Sequence, residues 1–313
     1  MFENPTSINR IAGNITPHEE KTAILNVIER FNDHDIDPDL ERPKTEKETM
    51  ILRSVNDVTN EVLQKYGIEK YDVPEENIHI VDNTDAWTEI FDNGDDSEDF
   101  ICVGFFSMEH QAIAIKDPDR FKYPDRPEGM NESQKSIFLK KCSMHEYFHF
   151  KSLNEMRKIS LDPTSEDQNY RIEPFRCGLR TRTINGKKNG LTAFNEGITE
   201  ELTIRTMKGL ANTDFFTEME KNEIKNYDPD EYLLERKMIN YLTEHIYKKF
   251  PYEYGSEQDV FDFFAKSMLT GKSKELIKLV DDSFGRGTFQ KIESEKTPRK
   301  KLSCVRNILD LID

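Results

Sequence analysis

Apolar positions recur at helical spacing toward both ends of the chain and at strand spacing in between. Thr16-Pro17-His18-Glu19 reads as a hydroxyl N-cap, a proline at the first helical position and an acid at the third. Ile24, Val27, Ile28 and Phe31 follow it and predict an amphipathic helix. After a polar stretch from Asp33 to Lys47, Met50, Ile51, Val55, Val58, Val62 and Leu63 repeat until Gly67 stops them, predicting a second helix. Strand signals then take over in Asn77 to Val81, in Phe100 to Phe106 and in Gln111 to Ile115, predicting a small, mostly antiparallel sheet.

From Asn131 a capped helix is expected to run without a break into His145-Glu146-Tyr147-Phe148-His149. Tyr147, Phe148, Phe150 and Leu153 make its second half apolar nearly all round, the pattern of a helix at the centre of a domain. Phe175 to Ile184 reads as one arm of a hairpin that returns through Asn185 to Gly190, and a helix is expected from about Thr192 to Leu210. Beyond Phe215, the spacing of Tyr232, Leu233, Met238, Ile239, Leu242 and Ile246, then of Val260, Phe261, Phe263, Phe264 and Met268, predicts a helical C-terminal region. The expected class is α+β, with an N-terminal helical segment over 1–50, a domain built on the central helix over 51–210 and a helical subdomain over 211–313.

Composition narrows the partners. With 44 Lys and Arg against 60 Asp and Glu, the formal charge of −16 argues against nucleic acid or an anionic membrane as partner. Twenty Phe can still build a sizeable core at a mean hydropathy of −0.76. Met1 to Pro5 carries no basic flank or apolar run, and no stretch is apolar enough to span a bilayer. Cys102, Cys142, Cys177 and Cys304 are far apart, which fits isolated reduced thiols. A cytoplasmic location is expected, with export without a classical signal as the alternative. The acidic run Asp92 to Asp99 lacks the ligand order of a calcium-binding loop and reads as a solvated loop. His18, His34, His79 and His110 receive no role.

The chemistry lies in His145, Glu146 and His149. Two histidines four apart on a helix can hold one Zn²⁺, with the glutamate between them as general base. A catalytic site needs a third protein ligand. In Asn195-Glu196-Gly197-Ile198-Thr199-Glu200 two glutamates share one helix face, so Glu196 can bind the ion while Glu200 accepts the far N–H of a ligand histidine. Glu155 is a rival third ligand, although Ser152 stands where a metzincin pattern needs glycine; Asp162 and Glu166 are remoter choices.

With H-E-x-x-H at 145–149 and N-E-x-x-T-E at 195–200, the chain resembles the zincin metallopeptidases, specifically their gluzincin branch. The resemblance covers roughly residues 77 to 205. It implies zinc held by His145, His149 and Glu196, Glu146 as base, Glu200 as the acid behind a ligand, and hydrolysis of peptide bonds. The chain departs from the thermolysin pattern in one respect: Glu196 lies 47 positions after His149, a longer interval with a hairpin between. Zincins often take an extended peptide against an edge strand, and Gln111 to Ile115 fits that place, with Ile113 and Ile115 toward the core and Ala112 and Ala114 leaving room opposite. An oxyanion donor is expected among His245, Tyr241, Tyr247, Tyr252 and Tyr254, and Arg176, Arg180 and Arg182 alternate on a strand face where they could attract acidic residues. The alternatives are a protease toxin or effector with the same site, a zincin-fold regulatory or adaptor protein without turnover, and a structural zinc closed by a fourth ligand.

Overall fold

The computed structural model describes residues 8–12, 15–32, 41–81, 103–108, 111–120, 129–160, 170–183 and 189–309. His34, His110, Cys102, the 92–99 run, Asp162, Glu166 and the 185–188 turn lie outside them, as do the side chains of Val27, Ile28 and Phe31. Within them, β1 (Ile8–Ala12) and α1 (Pro17–Asn32) come first, then β2 (Glu41–Arg42) and α2 (Glu46–Lys65). Both helices begin on a reciprocal cap. Thr16 Oγ1 accepts from Glu19 N at 3.3 Å while Glu19 accepts from Thr16 N at 2.8 Å, and Thr45 and Glu48 repeat the arrangement at 3.2 and 2.7 Å.

Five of the seven described strand pairs are antiparallel, as expected, but the single small sheet is corrected to two. The described strands form two mixed sheets. In the first, β2, β3 (Ile78–Val81), β5 (Ala112–Lys116) and β4 (Gly104–Ser107) lie in that order, with β3 and β5 parallel and the other pairs antiparallel. The second runs β1, β6 (Asn154–Ser160), β7 (Tyr170–Cys177), β8 (Arg180–Arg182), β9 (Asn189–Gly190), with β1 parallel to β6. Local alternation marks a strand and is silent about its partner, so neither parallel pairing was legible. The edge-strand assignment falls for the same reason. β5 is hydrogen-bonded on both sides, by β3 and by β4, so it is not an edge. Ile113 and Ile115 do enter the main core, but Ala112 and Ala114 are buried too, with Ala114 against Val81 and Phe105. The expected hairpin arm also breaks early: β7 turns at Gly178, whose φ of +56° favours glycine and where a Cβ would come within 2.6 Å of Asn195 Oδ1.

The central helix α3 (Glu132–Lys151) carries a reciprocal cap between Asn131 and Gln134, and every residue from Ser136 to Lys151 is buried. It packs against α2, β4 and β5 and against α4 (Thr192–Gly209). Phe148 and Phe150 are fully buried, each contributing about 1.5–3 kcal/mol by removal from water. Phe150 meets Phe106 edge-on, ring centres 5.3 Å apart. A helix buried all round must also satisfy its polar side chains. Lys140 pairs with Glu220 at 3.0 Å, and Lys151 donates to Asn56 Oδ1, Thr59 Oγ1 and Asn60 Oδ1 at 2.6–2.9 Å. After α3 the chain turns extended at Ser152 without a glycine, because Asn154 Nδ2 caps the carbonyls of His149 and Phe150 at 3.1 and 2.9 Å.

The C-terminal part is helical as expected: α5 (Glu218–Ile224), α6 (Leu233–Lys249), α7 (Glu257–Leu269), α8 (Ser273–Phe284), α9 (Thr288–Ser294) and α10 (Pro298–Leu309). One cluster of buried apolar side chains runs from Ile51 on α2 through α3 and α4 to Leu309 on α10. Consequently the helices after residue 211 share their core with the helix that carries the two histidines.

Candidate metal centre

His145 and His149 stand one turn apart on α3, and Glu196 and Glu200 one turn apart on α4. Packing the two helices together brings the motifs face to face. His149 Nε2 lies 3.0 Å from His145 Nε2 and 3.0 Å from Glu196 Oε2, and His145 Nε2 lies 3.4 Å from the same oxygen. Three donor atoms bonded at about 2.0–2.1 Å to one tetrahedral ion sit roughly 3.3 Å apart, so the triangle has the size a small divalent cation needs. The electrostatics point the same way. Burial opposes charge on both imidazoles, but Glu196 and Glu200 hold His145 above the ordinary histidine range, and Glu196 holds His149 well above it. Two protonated imidazoles cannot share a 3.0 Å contact, whereas one cation seated among the three atoms satisfies all of them. Burial likewise opposes charge on Glu196, yet His149 and His145 keep its carboxyl well below the usual range. The three residues are buried and can hold a metal ion.

The outward nitrogens are also engaged. His145 Nδ1 is 2.7 Å from Glu200 Oε2, as the N-E-x-x-T-E spacing suggested. Lys141, one turn before His145 on α3, completes the chain with its Nζ 3.0 Å from Glu200 Oε1. Burial disfavours both charges, but they meet each other: Lys141 brings the Glu200 carboxyl down to about 2, with His145 adding to the effect. No motif marked Lys141, since a lysine inside a helix normally reads as a solvated face; only the total burial of α3 reveals it. On His149, Asn195 Nδ2 lies 3.4 Å from Nδ1, while Asn195 Oδ1 accepts from Leu179 N at 2.9 Å and so ties α4 to the β7–β8 turn.

Glu146 follows His145 on α3 and feels the charges of His145, His149 and Glu196. Burial pushes its carboxyl up against the pull of His145 and His149. It lies under strand β4, so closely that a Cβ on Gly104 would stand 2.9 Å from Glu146 Oε1. A glycine there lets the strand approach the carboxylate.

Tyr232, which sequence reasoning treated only as an apolar position, stacks on His145 with ring centres 5.3 Å apart and planes 6° from parallel. It sits at the start of α6 with φ +51°, a left-handed conformation costing a non-glycine residue on the order of 1–3 kcal/mol, the kind of strain that collects at functional sites. The five aromatics expected as oxyanion donors are placed otherwise. Tyr241 accepts at its hydroxyl from Arg306, its carbonyl meets His245 Nδ1, Tyr252 is fully exposed, and Tyr247 and Tyr254 pack at the edge of the core. Glu155 is on β6, paired with Arg10 and, at 3.7 Å, with Arg176, and does not join the metal group. Arg176 also donates to Gly271 O, so it is committed to the fold.

Comparison with protein-family models, with characterised proteins and with solved structures finds no match to this chain. Among the described residues no helix is long and apolar enough to cross a membrane.

Proposed function

We propose that this protein is a zinc-dependent endopeptidase that hydrolyses peptide bonds with Glu146 as general base. The observation that carries the reading is the buried triangle of His145, His149 and Glu196 with the Glu146 carboxylate beside it and strand β4 packed directly against that carboxylate. The donor set, two imidazoles and one carboxylate, suits zinc with a position left open. Zinc so held supplies a Lewis acid that polarises a carbonyl and acidifies water. Glu146 takes the proton from the attacking water and delivers it to the leaving amine, a cycle an amide cannot perform. Its burial favours that role, because a raised carboxyl pKa brings the base nearer to neutral pH. Glu200, held by Lys141, keeps His145 oriented with Nε2 toward His149 Nε2 and Glu196, the atoms that would hold the ion with it. Tyr232 fixes the face of the same imidazole, and its hydroxyl is our choice for the oxyanion donor.

The substrate would lie extended over the centre beside β4, where Gly104 brings the main chain against Glu146. The decisive experiment is Glu146→Gln. The purified variant should retain the wild-type metal content by elemental analysis and lose turnover of a peptide library. Normal turnover in that variant would refute the assignment.

A further inference from the structure

We propose that Arg180 and Arg182 on β8 form an anion-selective subsite beside the metal centre, so that this protein prefers peptides carrying acidic side chains at alternate positions near the bond it cleaves. The inference rests on the hydrolase reading above and adds its substrate class. β8 follows β7 through a turn at Gly178 and Leu179, and that turn is seated against the centre. Leu179 N donates to Asn195 Oδ1 at 2.9 Å, and Asn195 Nδ2 lies 3.4 Å from Nδ1 of the ligand His149. Gly178 N donates to Leu153 O at 2.8 Å, just beyond the end of α3. The register gives the two arginines their face. Asn154, Cys177 and Arg180 stand opposite one another across the antiparallel strands β6, β7 and β8. Residues so paired send their side chains to one face, with Cβ atoms about 4.5–5.5 Å apart. The first two members of the row reach the same atom, Asn154 Nδ2 lying 3.1 Å and Cys177 Sγ 3.7 Å from His149 O. Arg180 is the third member of that row, and Arg182, two residues on, shares its face. Arg176 stands opposite Thr181, so it faces the other way, and it is tied to Gly271 O.

Charge singles out this pair. The strands of the second sheet carry seven arginines and lysines against two glutamates, in a chain whose formal charge is −16. Five of the seven are matched: Arg10 and Arg176 with Glu155, Arg157 and Arg171 with Glu173, and Lys158 with Glu19 on α1. Arg180 and Arg182 are half-buried and have no acidic partner among the described residues. A solvated strand face would leave both guanidinium groups in water. Here each has given up part of its hydration without receiving a carboxylate, a deficit that an incoming anion removes. Residues two apart on a strand are spaced by about 6.5–7 Å, which is also the spacing of alternate side chains in an extended peptide laid beside it. A guanidinium pairs with a carboxylate through two parallel hydrogen bonds, so the groups that fit are the Asp or Glu side chains of a peptide substrate.

The test uses the full metal-loaded chain and matched peptides, all amidated at the C-terminus so that their only carboxylates are side chains. Glu-x-Glu or Gln-x-Gln is placed at each register along an otherwise neutral sequence. The wild type should favour the Glu set by about tenfold or more in kcat/KM at one register relative to the cleaved bond, and added salt should shrink the preference. Arg180→Gln combined with Arg182→Gln should bring the Glu-to-Gln ratio to about one with metal content unchanged, and the double change to Glu should invert it. The double change to Lys keeps the charge and should keep a preference, which separates lost charge from a disturbed fold. The same peptides are measured for equilibrium binding to Glu146→Gln, where the Glu set should bind more tightly by a similar factor. Cleavage without preference for the Glu set, or a preference that survives the double change to Gln, overturns the subsite and leaves the hydrolase reading intact. If the metal-loaded wild type cleaves nothing, the hydrolase reading falls by itself. Binding to Glu146→Gln then decides the subsite: tighter binding of the Glu set upholds it, and equal Kd values for the two sets overturn it.

Discussion

The Glu200 carboxylate joins His145 Nδ1 at 2.7 Å, and this contact orients one metal-binding nitrogen from a residue 55 positions away. Removing such an outer partner typically lowers metal affinity by about 10–100-fold. Glu200→Gln should show a loss in that range by competition with a chromophoric chelator. Lys141→Met should also weaken binding, because it leaves Glu200 buried without its cation. Unchanged affinity in both variants would dismiss the Lys141–Glu200–His145 chain as packing.

Glu196 and Glu155 are separated by the same measurement. Glu196→Gln should lose more affinity than Glu200→Gln, since it removes a donor atom of the triangle. Glu155→Gln should retain full metal content, because that carboxylate faces Arg10 and Arg176. Elemental analysis of the two proteins decides between them, and metal loss in Glu155→Gln alone would reverse the ligand assignment.

Gly104→Ala places a methyl 2.9 Å from Glu146 Oε1, inside ordinary van der Waals contact. The carboxylate is the end of a flexible side chain and can swing aside, so stability should change little. A displaced base costs rate, and we expect kcat to fall about tenfold or more with metal content intact. Equal kcat in the variant would mean that Glu146 does not work from beneath β4.

Lys151 provides a pH signature of folding. Burial lowers its pKa to about 7, the charges of Asp72 and Asp57 opposing the shift only weakly. Between about pH 7 and pH 10 the unfolded chain keeps the proton on this residue while the folded chain has released it, so raising the pH favours the folded state. Relative to Lys151→Met, the wild type should gain up to about 1.4 kcal/mol per pH unit across that window in urea unfolding. A flat difference would show that the oxygen cage of Asn56, Thr59 and Asn60 keeps the lysine protonated.

Tyr232→Phe separates the hydroxyl from the ring. Stacking on His145 survives the change, so metal affinity should hold while kcat falls, by about 10²-fold if the hydroxyl is the oxyanion donor. A kcat equal to that of the wild type would confine Tyr232 to packing.

The residues of the metal triangle were legible in the chain itself. Helical periodicity places His145 with His149, and Glu196 with Glu200, on single faces, and caps such as Thr16 and Asn131 mark where helices begin, because both depend on interactions within a few residues. What the sequence left open depends on contacts between distant segments. Whether Glu155 or Glu196 completes the triangle is decided by the turn at Ser152, which sends Glu155 into a sheet beside Arg10. That β5 is an inner strand is decided by pairing β3 with β5 across more than thirty residues. Lys141 and Tyr232 acquire their places only when α3, α4 and α6 pack together, because burial and proximity to a ligand are properties of the packed helices and leave no period in the sequence.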